Sequence, residues 1–210
     1  TIERMIKIWK HKGYQKNDPK IKEWWSDIEG WREEKCLEFK QEGKIIKPQY
    51  AIRRLFEKTA NKDTFITTEV GQHQMWAAQY YGFEQPNRWM TSGGLGTMGY
   101  GLPAAMGVQI AHPESLVIDI AGEASILMNI QELSTMVRQW QELNHGSRYS
   151  QSYTESLPDF VKLADSFGGD GMVAETVDEL DGVIDAMLNS EKFFLADIRV
   201  AKEENCFPMI

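Results

Sequence analysis

Apolar positions recur at two different periods along this chain. Thr64 to Thr68 (TFITT) and Leu116 to Ile120 (LVIDI) are short β-branched or apolar runs bounded by turn residues, the pattern of buried strands. Met172 to Glu175 and Phe193 to Val200 read the same way. Between them the spacing turns helical: Pro48 to Lys58, Gln72 to Tyr81, and from the glycines at 93–101 towards Ala111. Helices are also predicted from Asn129 to Leu143 and from Leu157 to Phe167, the latter stopped by Phe167-Gly168-Gly169. Leu180, Val183, Ile184, Met187 and Leu188 mark one more helix face. Strands alternating with helices predict an α/β fold of three layers around a mainly parallel sheet. Its crossovers should be right-handed, and ligands should bind beyond the carboxyl ends of the strands.

The first stretch differs. It opens inside a helical pattern (Ile2, Met5, Ile6, Trp9), which suggests a natural start further upstream. Asn17-Asp18-Pro19 then reads as a helix start, with Asp18 as cap and Pro19 at the first helical position. Ile21, Trp24, Trp25, Ile28 and Trp31 follow at helical spacing, a stripe that predicts core packing. Charge supports a division: residues 1–44 carry 11 basic and 9 acidic side chains, residues 45–210 carry 12 and 22. A boundary near Gly43 is therefore expected, with a helical Trp-rich segment at 1–44 and the α/β domain at 45–210.

Composition narrows the function classes. With 42% hydrophobic residues the chain has ample apolar surface to bury, which excludes intrinsic disorder. A net charge of −8 argues against a general nucleic-acid binder. No apolar run approaches the roughly 18 residues of a membrane span, and no signal peptide is visible. Two cysteines make neither a disulfide framework nor a four-ligand zinc site. The cytoplasm is the default compartment.

Three clusters fall where an α/β fold binds ligands. Glu69-Val70-Gly71-Gln72-His73 follows the strand at 64–68. A glycine turn into a helix N-terminus lets backbone N–H groups approach an anion, with Gln72 and His73 as neutral donors. The same residues also suit a plain tight turn. Ser92 to Gly101 holds five glycines in ten residues, an entropic cost that close approach to a ligand would explain. Its spacing is not that of a dinucleotide fingerprint. Met98 within it is either core filler or an apolar wedge against a flat ring. Ala121-Gly122-Glu123-Ala124-Ser125 follows the strand at 116–120. Glu123 there is either a magnesium ligand beside phosphate oxygens or a complement to the helix dipole. Asn129 is expected on the following helix, outside any ligand shell.

The stretches TTEVGQHQMWAAQYY, RWMTSGGLGTMGYGLPAAMG, GEASILMNIQELST and MVRQWQEL occur in this order. Together they resemble the C-terminal third of the catalytic subunit of the acetohydroxyacid synthase (acetolactate synthase) family, and the likeness covers nearly all 210 residues. The resemblance implies the thiamine diphosphate-binding fold. It implies decarboxylation of pyruvate and condensation of the two-carbon unit with a second 2-keto acid, in branched-chain amino-acid biosynthesis. By position, Val70, Gly71, Gln72 and His73 match the diphosphate turn. Gly96 and Met98 match residues around the aminopyrimidine. Gly122, Ala124 and Ser125 match the diphosphate and magnesium motif, with Glu123 as metal ligand. Met136 and Val137 match cofactor-side residues, and Trp140 a substrate-side residue. No catalytic residue is assigned in this chain, because the activating glutamate belongs to an upstream domain of a partner subunit. The implied cofactors are thiamine diphosphate and magnesium, with FAD bound through upstream domains where present. The implied partners are a second copy in a homodimer or higher oligomer, a regulatory subunit and small 2-keto acids, but no nucleic acid and no membrane. The compartment would be the cytoplasm, or a plastid or mitochondrion in a eukaryote. Another thiamine diphosphate decarboxylase or carboligase is a rival reading. So is a non-catalytic binding module on the same fold.

Two departures stand out. Glu123 replaces the family's more common Asp, adding one methylene and moving the carboxylate by about 1.5 Å at most. Second, Leu133-Ser134-Thr135 runs directly into Met136-Val137, where the family has a helix end, a central strand and an Asn-Asn motif. If residues are missing from the chain as written, one Cα step between Ser134 and Val137 should far exceed the usual value of about 3.8 Å. A genuine deletion instead predicts normal spacing and one continuous helix from Asn129 to Leu143.

Overall fold

The computed structural model describes residues 1–14, 19–130, 158–202, 204 and 206. They form two units, Thr1–Glu38 and Phe39–Ile210. The boundary thus falls between Glu38 and Phe39 rather than near Gly43. Phe39 explains the difference. Its ring meets Tyr80 edge-on at 5.4 Å between centroids, and the Arg53 guanidinium lies 4.6 Å from its own centroid.

The first unit contains helices α1 (Ile2–His11) and α2 (Pro19–Glu33). Neither helix buries a residue, so within this unit the tryptophan stripe is not core. Trp24 and Trp31 meet edge-on at 5.6 Å, yet each is 56% exposed. Two short helices have too little surface to enclose four indoles. Asp18, the expected cap, lies outside the described residues.

The second unit carries α3 (Pro48–Thr59), β1 (Thr64–Thr68), α4 (Gln72–Tyr80), β2 (Trp89–Thr91), α5 (Gly101–Ala111) and β3 (Leu116–Ile120). After these come α6 (Glu123–Ile126), α7 (Phe160–Ser166), β4 (Asp170–Ala174), α8 (Val177–Asn189) and β5 (Phe194–Ile198). Among the described residues all strand pairs are parallel, as expected. The chain steps from β1 out to β2, then back past β1 to β3. The two connections run in opposite directions along the sheet, so the right-handed rule for parallel crossovers assigns α4 and α5 to opposite faces. That is why β1 is buried along Phe65–Thr68 and reads as a continuous β-branched run.

The structure departs from expectation in three places. The strands form two sheets among the described residues, β2-β1-β3 and β4-β5, rather than one. Strand β2 carries no alternation to betray it; pairing of Trp89, Met90 and Thr91 with Ile66, Thr67 and Thr68 makes it a strand. After β3 comes the single-turn α6, which the apolar pattern does not mark; Asn129 follows it in a bend, directly before Ile130 in 3₁₀ conformation. The rest of the helix expected to Leu143, the step from Ser134 to Val137, and Leu157 lie outside the described residues.

One core serves both sheets. It runs from Ile46, Ile52 and Leu55 through Ile66 and Ile118 on one side to Ala174, Leu180, Val183 and Ile184 on the other. Helix α3 is the shared wall. Arg54 makes a two-pronged contact with Asp181 of α8 at 2.9 and 2.8 Å, and Lys58 reaches Asp185 at 2.6 Å.

Candidate functional site

β1 and β3 are parallel neighbours, so their carboxyl ends lie side by side, where an α/β sheet offers its ligand crevice. Both predicted turns, 69–72 and 121–125, sit on it.

His73 joins the two turns. A Cβ on Gly71 would lie 2.8 Å from its Cε1, and a Cβ on Gly122 would lie 2.8 Å from its Nδ1. The imidazole is clasped between two glycines, one from each turn, and neither could carry a side chain without displacing it. Desolvation lowers the His73 pKa to about 4, against a smaller opposing effect of its hydrogen bond to the Glu69 backbone. The ring is neutral at pH 7. Its Nε2 is buried and has no partner among the described residues. Ser125, also buried, ties the turns a second time: its hydroxyl donates to the Val70 carbonyl at 2.8 Å.

The glycine loop is fastened to the same crevice. Gly99 N–H donates to one carboxylate oxygen of Glu69 at 2.6 Å, and Leu102 N–H donates to the other at 3.1 Å. The Asn129 amide donates to the Gly99 carbonyl. Gly101 lies so close to the strand ends that a Cβ would fall 2.3 Å from Asp119 Oδ1 and 2.7 Å from the Glu69 nitrogen. Ser92 accepts from Thr97 N–H at 3.0 Å and closes the loop from within. Gly96 adopts φ +65°, a left-handed conformation that favours glycine, and a Cβ on it would touch Val70 Cγ1 at 3.8 Å.

Glu69, buried, and Asp119, half-buried, form an acidic pair beneath the loop. Glu69 has no exposed surface. Asp119 accepts from the Thr67 hydroxyl at 2.8 Å, while its Oδ2 is buried without a partner. Burial pushes the Asp119 pKa up to about 7; the Thr67 hydrogen bond opposes this, and the neighbouring Glu69 charge adds to it.

Val70, Gly71, His73, Gly96, Gly122 and Ser125 are thus brought together. Gln72 is exposed at the start of α4. Met98 is 39% exposed on the glycine loop. Glu123 and Ala124 are exposed on α6, and the Glu123 carboxylate makes no hydrogen bond or ion pair among the described residues. Met136, Val137 and Trp140 lie outside the described residues. The sequence reading missed what Glu69, Asp119 and Asn129 do. Its available signal was an acidic side chain at the end of each of two buried strands.

The start of α4, with Gly71 as its N-cap, presents backbone N–H groups that suit an anion, while the neutral His73 ring, its one proton donated to the Glu69 carbonyl, keeps the orphaned Nε2 as an acceptor. Among the described residues no three His, Cys, Asp or Glu side chains converge to hold a metal ion. A family model for the C-terminal TPP-binding domain of thiamine pyrophosphate enzymes matches residues 69–139 and 134–198, spanning this site. The chain belongs to that family.

Relatives sharpen the position of this TPP-binding domain. The chain is 40% identical over 229 residues to the acetolactate synthase large subunit of Haemophilus influenzae, matching all of this chain and 40% of that protein. It is 40% identical over 231 residues to the acetolactate synthase isozyme 3 large subunit of Escherichia coli, with the same coverage. It is 41% identical over 212 residues to the mitochondrial acetolactate synthase catalytic subunit of Saccharomyces cerevisiae, covering 90% of this chain and 31% of that protein. The chain therefore spans about two fifths of the bacterial relatives. The Haemophilus match covers 229 positions against the 210 residues of this chain, so that relative carries positions this chain lacks. The family match itself breaks and restarts at residues 134–139.

Proposed function

We propose that this domain is the diphosphate-binding part of a thiamine diphosphate- and magnesium-dependent acetolactate synthase. That enzyme decarboxylates pyruvate and joins the two-carbon unit to a second 2-keto acid in branched-chain amino-acid biosynthesis. One observation carries the reading: two strand-end turns and a glycine loop are bonded into one crevice, in a chain 40% identical to acetolactate synthases.

When bound, thiamine diphosphate supplies the carbanion chemistry. The chain's own residues bind and orient. Val70, Gly71, Gln72 and His73 would hold the diphosphate through the backbone N–H groups at the start of α4. Gly96 and Met98 would lie against the aminopyrimidine, Met98 as an apolar wedge. Gly122, Ala124 and Ser125 would frame the metal side, where Glu123 would be the residue to hold magnesium. Met136, Val137 and Trp140 would face the cofactor and substrate. The proposal extends to a homodimer or higher oligomer, a regulatory subunit, and FAD in upstream domains. It places the protein in the cytoplasm, or in a eukaryotic organelle.

The test uses the full-length protein. Acetolactate and carbon dioxide should form from pyruvate only when thiamine diphosphate and magnesium are both supplied. No product, with binding of both intact, would exclude this reaction. The positions present in the Haemophilus relative and lacking here favour a second reading, a non-catalytic domain on the same fold. Failure of magnesium-dependent thiamine diphosphate binding, cured by grafting the relative's extra stretch between residues 134 and 139, would establish that reading instead.

A further inference from the structure

A buried carboxylate without a cation is costly, and a fold holds one only where hydrogen bonds repay its lost hydration. Glu69 is such a group. It is wholly buried, and the described residues place no Lys, Arg or His⁺ on it. Its two oxygens are instead shared between Gly99 N–H and Leu102 N–H, so one carboxylate spans the junction of the glycine loop and α5. The N-terminal end of the α5 dipole points at the same charge. Glu69 N–H donates to the Ile120 carbonyl at 3.1 Å, which fixes the residue across the gap between β1 and β3.

We propose that Glu69 is a positioning residue for the cofactor: its carboxylate holds the glycine loop at a set distance from the Val70–His73 turn. A second tie between the two halves lies at the β2 end of the loop, where the Gln74 amide donates to the Thr91 hydroxyl at 2.6 Å. Gly96 and Met98 sit on a loop anchored at one end by β2 and at the other by Gly99 and Gly101. The Gly99 end is held by two side chains, Glu69 and Asn129. Glu69 immediately precedes the turn, so any shift of its carboxylate changes the span between the turn and the loop. Nothing in this role requires Glu69 to touch the cofactor. The inference rests on the thiamine diphosphate reading for its functional consequence, but not for its structural one.

The test compares wild type, Glu69→Gln and Glu69→Asp in the full-length protein. Glutamine puts an NH₂ group against one of the two N–H donors and must lose that bond. Aspartate keeps the charge and at least one bond. In Glu69→Gln, amide exchange at Gly99 and Leu102 should quicken at least tenfold in cofactor-free protein, while Ile66 and Ile118 in the core keep their protection. Thiamine diphosphate should bind at least tenfold more weakly. Inorganic pyrophosphate, which needs only the turn, should change less than threefold. Glu69→Asp should recover most of both losses. Equal quickening of loop and core amides would overturn the proposal in favour of a general stability role. So would an equal loss of pyrophosphate and thiamine diphosphate affinity. If wild type binds no thiamine diphosphate, the cofactor reading fails, and the exchange pattern alone then decides the role of Glu69. Should Glu69→Gln fail to fold, Glu69→Asp carries the same comparison, with a smaller local quickening expected and an unchanged loop overturning the proposal.

Discussion

His73 and Asp119 are the two residues whose protonation the fold changes most near neutrality, and they act in opposite directions. Burial holds the His73 ring neutral down to a pKa of about 4. As pH falls below 6.5 the unfolded chain gains a proton that the folded ring refuses, so this residue's contribution to stability falls with acid. An NMR titration of the His73 ring should show a midpoint near 4; a midpoint near 6.5 would mean that the ring is not clasped. Asp119 behaves inversely. Its folded pKa of about 7 lies above its ordinary value of 3.8, so the folded protein keeps a proton that the unfolded chain releases. Its contribution is intact below pH 3.8 and declines as pH rises towards 7. Asp119→Asn should therefore stabilise the protein by roughly 1–3 kcal/mol at pH 8 and hardly at all at pH 4. Urea denaturation at the two pH values measures the difference.

Helix α5 shows why particular glycines matter at the scale of an element. It begins at Gly101, against the ends of β1 and β3, with no room for a Cβ beside Asp119 Oδ1 or the Glu69 nitrogen. Gly101→Ala should push the helix off the sheet and cost about 3 kcal/mol or more in chemical denaturation. Gly182 is the contrast. It lies within α8 with nothing within 4 Å of its would-be Cβ. Gly182→Ala should stabilise by about 0.5–1 kcal/mol, through helix propensity and a less flexible unfolded chain. Helix α8 carries its own local start signal. Its Thr176 and Glu179 form a reciprocal capping box, and the Glu179 carboxylate accepts from Thr176 N–H at 3.0 Å.

Across the second unit, α3 ties the β2-β1-β3 sheet to the β4-β5 sheet through the shared core and through Arg54, Lys58, Asp181 and Asp185. These ion pairs are partly exposed, so water screens them. A double-mutant cycle on Arg54→Ala and Asp181→Ala should return a coupling of about 0.5–1 kcal/mol. It should shrink as acid protonates Asp181, whose pKa the Arg54 hydrogen bond holds below the usual carboxylate range. No coupling would mean that apolar burial alone joins the sheets.

Much of this molecule was legible in its residue order, because the governing interactions are local. Short apolar runs marked β1 and β3 and helical patterns marked α3, α4 and α8, since each element must present apolar surface whatever lies opposite. Glycine turns after β1 and β3 marked the ligand-facing end, since backbone geometry there depends on the residue itself. Tertiary structure decided the rest. Strand β2 exists because β1 offers it a hydrogen-bonding edge, which three residues of sequence do not announce. The tryptophan stripe of α2 has a helical period in either setting, and only the surrounding chain determines whether it is covered. His73 between Gly71 and Gly122, and Glu69 beneath Gly99 and Leu102, are contacts between segments tens of residues apart. Composition and spacing constrain each segment alone; the free energy that selects these contacts comes from packing them together in a water-excluded crevice, which no single segment encodes.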